Sequence, residues 1–229
     1  MRAVFFDVDF TLIFPGPTFQ GEGYARFCSE EAVAVDASRF EDAVAAASFI
    51  LDEVEEPVYD VELFVHYTAT IIEHMGGRGP GVINAARRIY DQWAGNHHFE
   101  MYEDVAPVLA ELATRGYLIG AISNSHRSLE AFKEHFQLGR VITTAVSSAE
   151  HGYMKPHPSI FESAMQHAGV GPTESLMVGD SVRADIEGAL AVGMQAVLLR
   201  RSGDLPQLLP SGVDVIRTLT ELPPLLRKR

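Results

Sequence analysis

A chain of 229 residues, 47% apolar and 21% charged, has the composition of an ordinary globular protein and room for one large domain or a core with an insertion. Its formal charge of −13 makes the surface acidic and argues against nucleic acid or anionic membrane as partners. No apolar run reaches the roughly 18 residues of a membrane span, the short apolar start is too brief for a signal peptide, and the single cysteine, Cys28, cannot close an intramolecular disulfide, so a cytoplasmic protein is expected.

The first element is Ala3-Val4-Phe5-Phe6, an apolar run of the kind that forms a buried strand. It ends in Asp7-Val8-Asp9-Phe10-Thr11, then Leu12-Ile13-Phe14 and the turn signal Pro15-Gly16-Pro17. From about Phe19 to Asn96 the pattern is helical, with helices expected near 20–34, 38–54, 60–75 and 81–94 and no convincing strand. Glu55-Glu56-Pro57 and the glycine-rich stretch Gly76 to Gly81 break that series. Beyond about Met101 strands alternate with helices. A helix from Ala106 to Arg115 precedes a strand over Tyr117 to Ile122, which ends at Ser123-Asn124-Ser125. A helix from Ser128 to Phe136 and a strand over Val141 to Val146 follow, then Lys155-Pro156 and a helix from Pro158 to Ala168. The strand Ser175 to Gly179 ends at Asp180. A helix over Ala184 to Ala191, a strand over Met194 to Leu199, and an edge strand near Asp214 to Ile216 with a last short helix complete the chain. This alternation predicts a doubly wound α/β parallel sheet. The core is expected to comprise 1–15 and 97–229, with a helical domain over 16–96 inserted into it.

Two carboxylates at the end of a buried strand are costly without a partner. Asp7 and Asp9 would lie on one side of an extended chain, where their repulsion favours a divalent cation or a shared proton. The plainer reading is an acidic turn with Thr11 capping something nearby. Polar residues also follow or open elements at Ser123/Asn124, at Lys155, and at Asp180 with Asp185. In a parallel sheet these ends face one crevice. Each alone has an ordinary explanation as a helix cap, a solvated charge or a turn. Together, and in this order, they define a site.

These residues resemble the motifs of the haloacid dehalogenase-like hydrolase superfamily. Asp7 to Thr11 match D-x-D-x-T, Ser123 matches the Ser or Thr that ends the next core strand, and Lys155-Pro156 match the Lys before a helix. Gly179 to Asp185 match G-D-x-x-x-x-D, and the helical insertion is similar to the first type of cap in subfamily I. Phe10 departs from the pattern, standing where the family commonly has a small or polar residue. The resemblance implies a hydrolase acting on a small phosphorylated metabolite. Asp7 would be the nucleophile that forms an aspartyl-phosphate, and Asp9 the acid and base. It implies Mg²⁺ held by the side chains of Asp7 and Asp180 and the backbone carbonyl of Asp9, with Asp185 in support. Thr11, Ser123, Asn124 and Lys155 would bind substrate. A sugar-phosphate mutase, a metal-independent 2-haloacid dehalogenase and a catalytically idle binding protein on the same fold are the alternatives. A dehalogenase has no need of a second acid at Asp9. The chain has no Lys before Lys133, so its cap cannot supply the Schiff-base lysine of a phosphonate hydrolase. His97-His98 read as linker or capping residues, His126 as a residue at the crevice or on the surface, Trp93 and Tyr90 as cap core, and Asp52 to Glu56 as a solvated helix end. The region 16–100 carries 15 acidic residues against five arginines, which predicts poor binding of polyanions.

Overall fold

The computed structural model describes residues 1–52, 54–203 and 208–227. Its strands are β1 (Ala3–Phe6), β2 (Ile13–Pro15), β3 (Phe99–Met101), β4 (Leu118–Ser123), β5 (Ile142–Ser147), β6 (Ser175–Gly179), β7 (Gln195–Leu199) and β8 (Asp214–Ile216). Its α-helices are α1 (Gly21–Glu30), α2 (Phe40–Ala47), α3 (Phe49–Asp52), α4 (Val61–His74), α5 (Gly81–Trp93), α6 (Val105–Thr114), α7 (Leu129–His135), α8 (Ser148–His151), α9 (Pro158–Ala168), α10 (Gly188–Ala191) and α11 (Leu222–Leu226).

The chain divides into two compact units, one of Met1–Phe14 with Met101–Arg229 and the other of Pro15–Glu100. The first is the α/β unit. Its six-stranded sheet has the order β5-β4-β1-β6-β7-β8, with every pair parallel. Counted along this sheet alone, that is the doubly wound order 3-2-1-4-5-6, whose ligand crevice opens outside the strand ends where the winding reverses. β1, at the centre, is buried at all four residues. Both faces must therefore be apolar, and Phe5, Ile122, Met177 and Leu198 join Ile160, Phe161 and Ile186 in a core cluster. The predicted edge strand is β8, paired with β7.

The unit Pro15–Glu100 is built mainly of helices. The side chains of Val65, Ile71 and Ile72 on α4 and Ala85, Ala86 and Ile89 on α5 are buried. Small residues at two of those positions allow close helix approach. Cys28, on α1, is also buried. The helix expected over 38–54 is split into α2 and α3 at Ser48, whose hydroxyl donates to the Ala45 carbonyl at 3.0 Å. Such local side-chain bonds compete with the helical ladder. Glu53, in the predicted solvated helix end, lies outside the described residues. The expected turn at Pro15 is the end of a two-stranded ribbon, β2 with β3. Its three-residue strands are too short to show an alternating pattern.

Candidate active site

The four acidic, hydroxyl and ammonium motifs converge within the α/β unit. β1 runs out at Phe6, and the Asp7 amide still donates to the Val178 carbonyl of β6 at 2.9 Å, so Asp7 is held in line with the sheet. The chain then turns sharply. The amides of Leu12 and Ile13 both donate to the Val8 carbonyl at 2.8 and 3.1 Å, and the Phe10 amide donates to the Ile13 carbonyl at 2.7 Å. This turn places Phe10 at φ 64°, in the left-handed region, with the residue 46% exposed. A bulky residue there carries strain of about 1–2 kcal/mol.

Lys155 is the hub. Its ammonium is buried and donates to Asp7 Oδ1 at 2.6 Å, to Asp185 Oδ1 at 2.6 Å and to the Ile122 carbonyl at 2.9 Å. All three ammonium donors are thereby used. Asn124 clamps the same segment from the end of β4. Its side-chain amide donates to the Lys155 carbonyl at 2.9 Å, and its side-chain oxygen accepts from the Lys155 amide at 2.7 Å. The Lys155–Pro156 peptide is cis. Ser123, fully buried at the last position of β4, donates from Oγ to Ser125 Oγ at 3.0 Å.

Asp180 follows β6, and Asp185 returns to the same point from the next turn. Residues Val182–Glu187 form a wide π-type turn, with the amides of Asp185 and Ile186 both donating to the Ser181 carbonyl. Turns of this kind recur at functional sites. The turn begins two residues before the helix expected at Ala184. It brings Asp185 Oδ2 to the Ser181 amide at 3.0 Å. Gly179 is required here, because a Cβ on it would stand 2.2 Å from Asp185 Oδ2.

Asp7, Asp180 and Asp185 each bring a carboxylate oxygen within 4.8 Å of the others. Asp9 is not in that cluster; its Oδ1 accepts from Arg127 at 2.9 Å. The simple expectation that both aspartates share one side holds for an extended chain, and the turn after Asp7 ends the extended run. Burial is the main force on the cluster. It pushes the Asp7 carboxyl up to about 7, with Asp185 adding to the rise and Lys155 opposing it. Asp180 is raised well above the usual carboxylate range, first by burial and then by Asp7 and Asp185. Burial alone would depress the Lys155 ammonium, but Asp185 and Asp7 more than reverse this and raise it.

Thr11 is fully buried, and its Oγ1 has no hydrogen-bond partner among the described residues. Its carbonyl accepts from Arg201 at 2.9 Å. Arg201 also forms a two-pronged pair with Asp104, at 2.9 and 3.0 Å, and lies 3.7 Å above the Tyr102 ring. Arg127, Arg201, Asp104 and Ser125 were not singled out by the sequence, because no motif or local periodicity marks them. His126 is half-buried. His98 bonds to Gln92 at 3.0 Å within the 3₁₀ turn region, as a linker residue would. Trp93 packs on Phe19 and Phe99, and the Tyr90 hydroxyl meets that of Tyr59.

Comparison with known proteins agrees with this geometry. A family model described as haloacid dehalogenase-like hydrolase matches residues 1–193. A glyceraldehyde 3-phosphate phosphatase of Methanothermobacter thermautotrophicus is 28% identical, over 87% of this chain and 85% of its own. An N-acylneuraminate-9-phosphatase of Rattus norvegicus is 29% identical, over 99% of this chain and 94% of its own. The fold is shared with a magnesium-bound HAD-hydrolase of Bacillus subtilis, at TM-score 0.73 and 17% identity over 98% of each chain.

Proposed function

The chain belongs to the haloacid dehalogenase-like hydrolases, and we propose that within them it is a Mg²⁺-dependent phosphatase of a small phosphate monoester. The observation that carries this reading is the surplus of negative charge: three carboxylates gather around one ammonium at the carboxyl end of the central strands. Hard carboxylate oxygens at this spacing suit Mg²⁺. Asp7 and Asp180 would hold it through their side chains and Asp9 through its backbone carbonyl. Both oxygens of Asp185 are already engaged, by Lys155 and the Ser181 amide, so Asp185 is read as the support of Lys155. The bound cation would neutralise charge on the phosphoryl oxygens and favour the ionised form of Asp7.

Asp7 then attacks phosphorus, and the ester P–O bond breaks with its electron pair passing to the leaving oxygen. The carboxyl of Asp9 gives that oxygen a proton. In the second step a water molecule attacks the aspartyl-phosphate and Asp9 takes its proton. The P–O bond to Asp7 breaks, freeing phosphate and the Asp7 carboxylate. Ser123 and Lys155, each exchanging a present bond for one to a phosphoryl oxygen, and the backbone amide of Asn124 are read as donors to the phosphoryl oxygens, where positioning and charge stabilisation supply most of the rate. Thr11 is read as a buried prop of the turn, and the unit Pro15–Glu100 as the cap.

Three of the five arginines of the helical unit are engaged. Arg87 pairs with Glu62, Arg88 with Glu30 and Glu31, and Arg78 donates to the carbonyls of Glu73 and Gly77. With a chain charge of −13, a single phosphate is favoured over a triphosphate. The test is a panel of phosphate esters with Mg²⁺ and with EDTA. Turnover of p-nitrophenyl phosphate and of a small sugar or triose phosphate is expected, releasing inorganic phosphate and lost in EDTA. A blank panel beside halide release from a 2-haloacid without metal would overturn the reading. Conversion to an isomeric sugar phosphate would point to a mutase.

A further inference from the structure

Arg127 is fully buried, the bulkiest side chain enclosed to that degree among the described residues. Taking a guanidinium out of water costs several kcal/mol, so such a group is matched to a partner. One partner is Asp9, 118 residues away in sequence, reached by Nη1 at 2.9 Å. The pair is lopsided: the Arg127 side chain is 0% exposed and that of Asp9 is 17% exposed. The cation is sealed in the protein, and the carboxylate is the end that meets solvent.

The segment that carries Arg127 is itself tied down. Ser125 bonds to Ser123, and its carbonyl accepts from the Ala149 amide at 3.3 Å and from the Ser148 hydroxyl at 3.4 Å. Ser128 caps α7 by accepting from the Ala131 amide at 3.3 Å. The bond from Arg127 thus links two loops, the turn after β1 and the loop after β4. A guanidinium on a fixed loop, bonded to one oxygen of Asp9, restricts rotation of that carboxylate.

We propose that Arg127 is the positioning residue for Asp9, holding one carboxylate oxygen so that the other faces the leaving oxygen of the substrate. This rests on the reading of Asp9 as acid and base. The proton path is that given above: from Asp9 to the departing oxygen, then from water to Asp9. Arg127 takes no proton and touches no reacting atom. Its effect is confined to steps in which Asp9 moves a proton.

The test is a double-mutant cycle of Arg127→Met and Asp9→Asn, read by single-turnover release of the leaving group. The alkyl ester glycerol 3-phosphate needs protonation of its leaving oxygen, and p-nitrophenyl phosphate needs little. Arg127→Met is expected to slow release from glycerol 3-phosphate about 10²-fold, the lower end of what an acid catalyst contributes. Release of p-nitrophenol should change less than about threefold, and substrate affinity should hold. In the Asp9→Asn background, Arg127→Met should cost nothing more. Where Arg127→Met does not fold, Arg127→Gln carries the same cycle, since a shorter neutral amide removes the ionic hold on Asp9. Equal slowing of both esters, or losses that multiply in the double variant, would overturn the proposal and leave Arg127 as a fold residue. If the parent enzyme turns over neither these two esters nor any ester of the panel above, it is the phosphatase reading itself that fails.

Discussion

Two carboxylate centres among the described residues of the α/β unit, those of Asp104 and Asp7, are opposites. Asp104 meets Arg201 in a two-pronged pair and also accepts from the Leu219 amide at 2.8 Å. Burial would raise its pKa, but the hydrogen bonds and charge of Arg201 more than offset this and hold it below the usual range. Around Asp7, one ammonium serves both Asp7 and Asp185, with Asp180 close by, and burial drives Asp7 up to about 7. A structural acid is matched one to one with a cation. A centre with more acids than cations is incomplete as a piece of folding, and the proposed function reads that shortfall as the place for a cation and a phosphoryl group.

The sharpest way to break this contrast is to neutralise one acid in each centre. Asp7→Asn is expected to reduce turnover by at least about 10³-fold, because no covalent intermediate forms. Its thermal stability should hold or rise, since a buried negative charge has been removed. Asp104→Ala should do the reverse. It leaves Arg201 without its carboxylate, costing about 3 kcal/mol of stability, while activity stays within about tenfold. Melting curves and kcat for the two variants decide it. If Asp104→Ala abolished turnover in a fully folded protein, the division into a structural and a reactive centre would fail.

A smaller effect is expected at the shared cation. Lys155→Ala should cost on the order of 3 kcal/mol of transition-state stabilisation, comparable to loss of an oxyanion donor. Lys155→Arg should not restore the rate, because a planar fork cannot donate to Asp7, Asp185 and the Ile122 carbonyl as the ammonium does. Near-native kcat/KM in Lys155→Ala would remove Lys155 from the reaction and reduce it to packing.

The two centres also differ in how far they could be read in advance. Asp7, Ser123 and Asp180 were legible because each ends an apolar run, and in a parallel sheet such ends converge. Lys155 and Asp185 were legible through their motif spacing. The pairs Arg127–Asp9 and Arg201–Asp104 join residues 118 and 97 apart. Strand order and loop conformation decide such pairings, and neither leaves a local pattern at an arginine. Asp9 shows the same limit. Its place in the chain was plain, but the turn through Phe10 at φ 64° determines where its carboxylate points. The core strands were legible as short apolar runs. The ribbon of β2 and β3 and the break at Ser48 were not, since three-residue strands and single side-chain bonds lie below the length over which periodicity can be seen.

The smallest expected effect concerns pH, and it separates the centres by sign. An Asp in the unfolded chain titrates near 3.8, whereas folding raises Asp7 to about 7. Between these values the folded protein keeps a proton that the unfolded chain has released, so Asp7 lowers stability as pH rises through that window. Asp104 is lowered, so its stabilisation is full above the unfolded value and is lost only as pH falls below it. On the proposed reading, Mg²⁺ binding requires Asp7 to be ionised. Below about pH 7 the metal must displace a proton, and its apparent affinity falls up to tenfold per unit. The rise in Tm on adding Mg²⁺ should therefore be a few degrees near pH 7.5 and shrink toward zero near pH 5. Asp7→Asn should remove that rise at every pH, while Asp104→Asn should lower Tm overall and leave the pH dependence of the Mg²⁺ effect intact. A Mg²⁺ effect that stays flat from pH 5 to 7.5 in the parent protein would show that the cation does not compete with a proton on Asp7. The surplus of acid around Lys155 would then have to be explained without a metal.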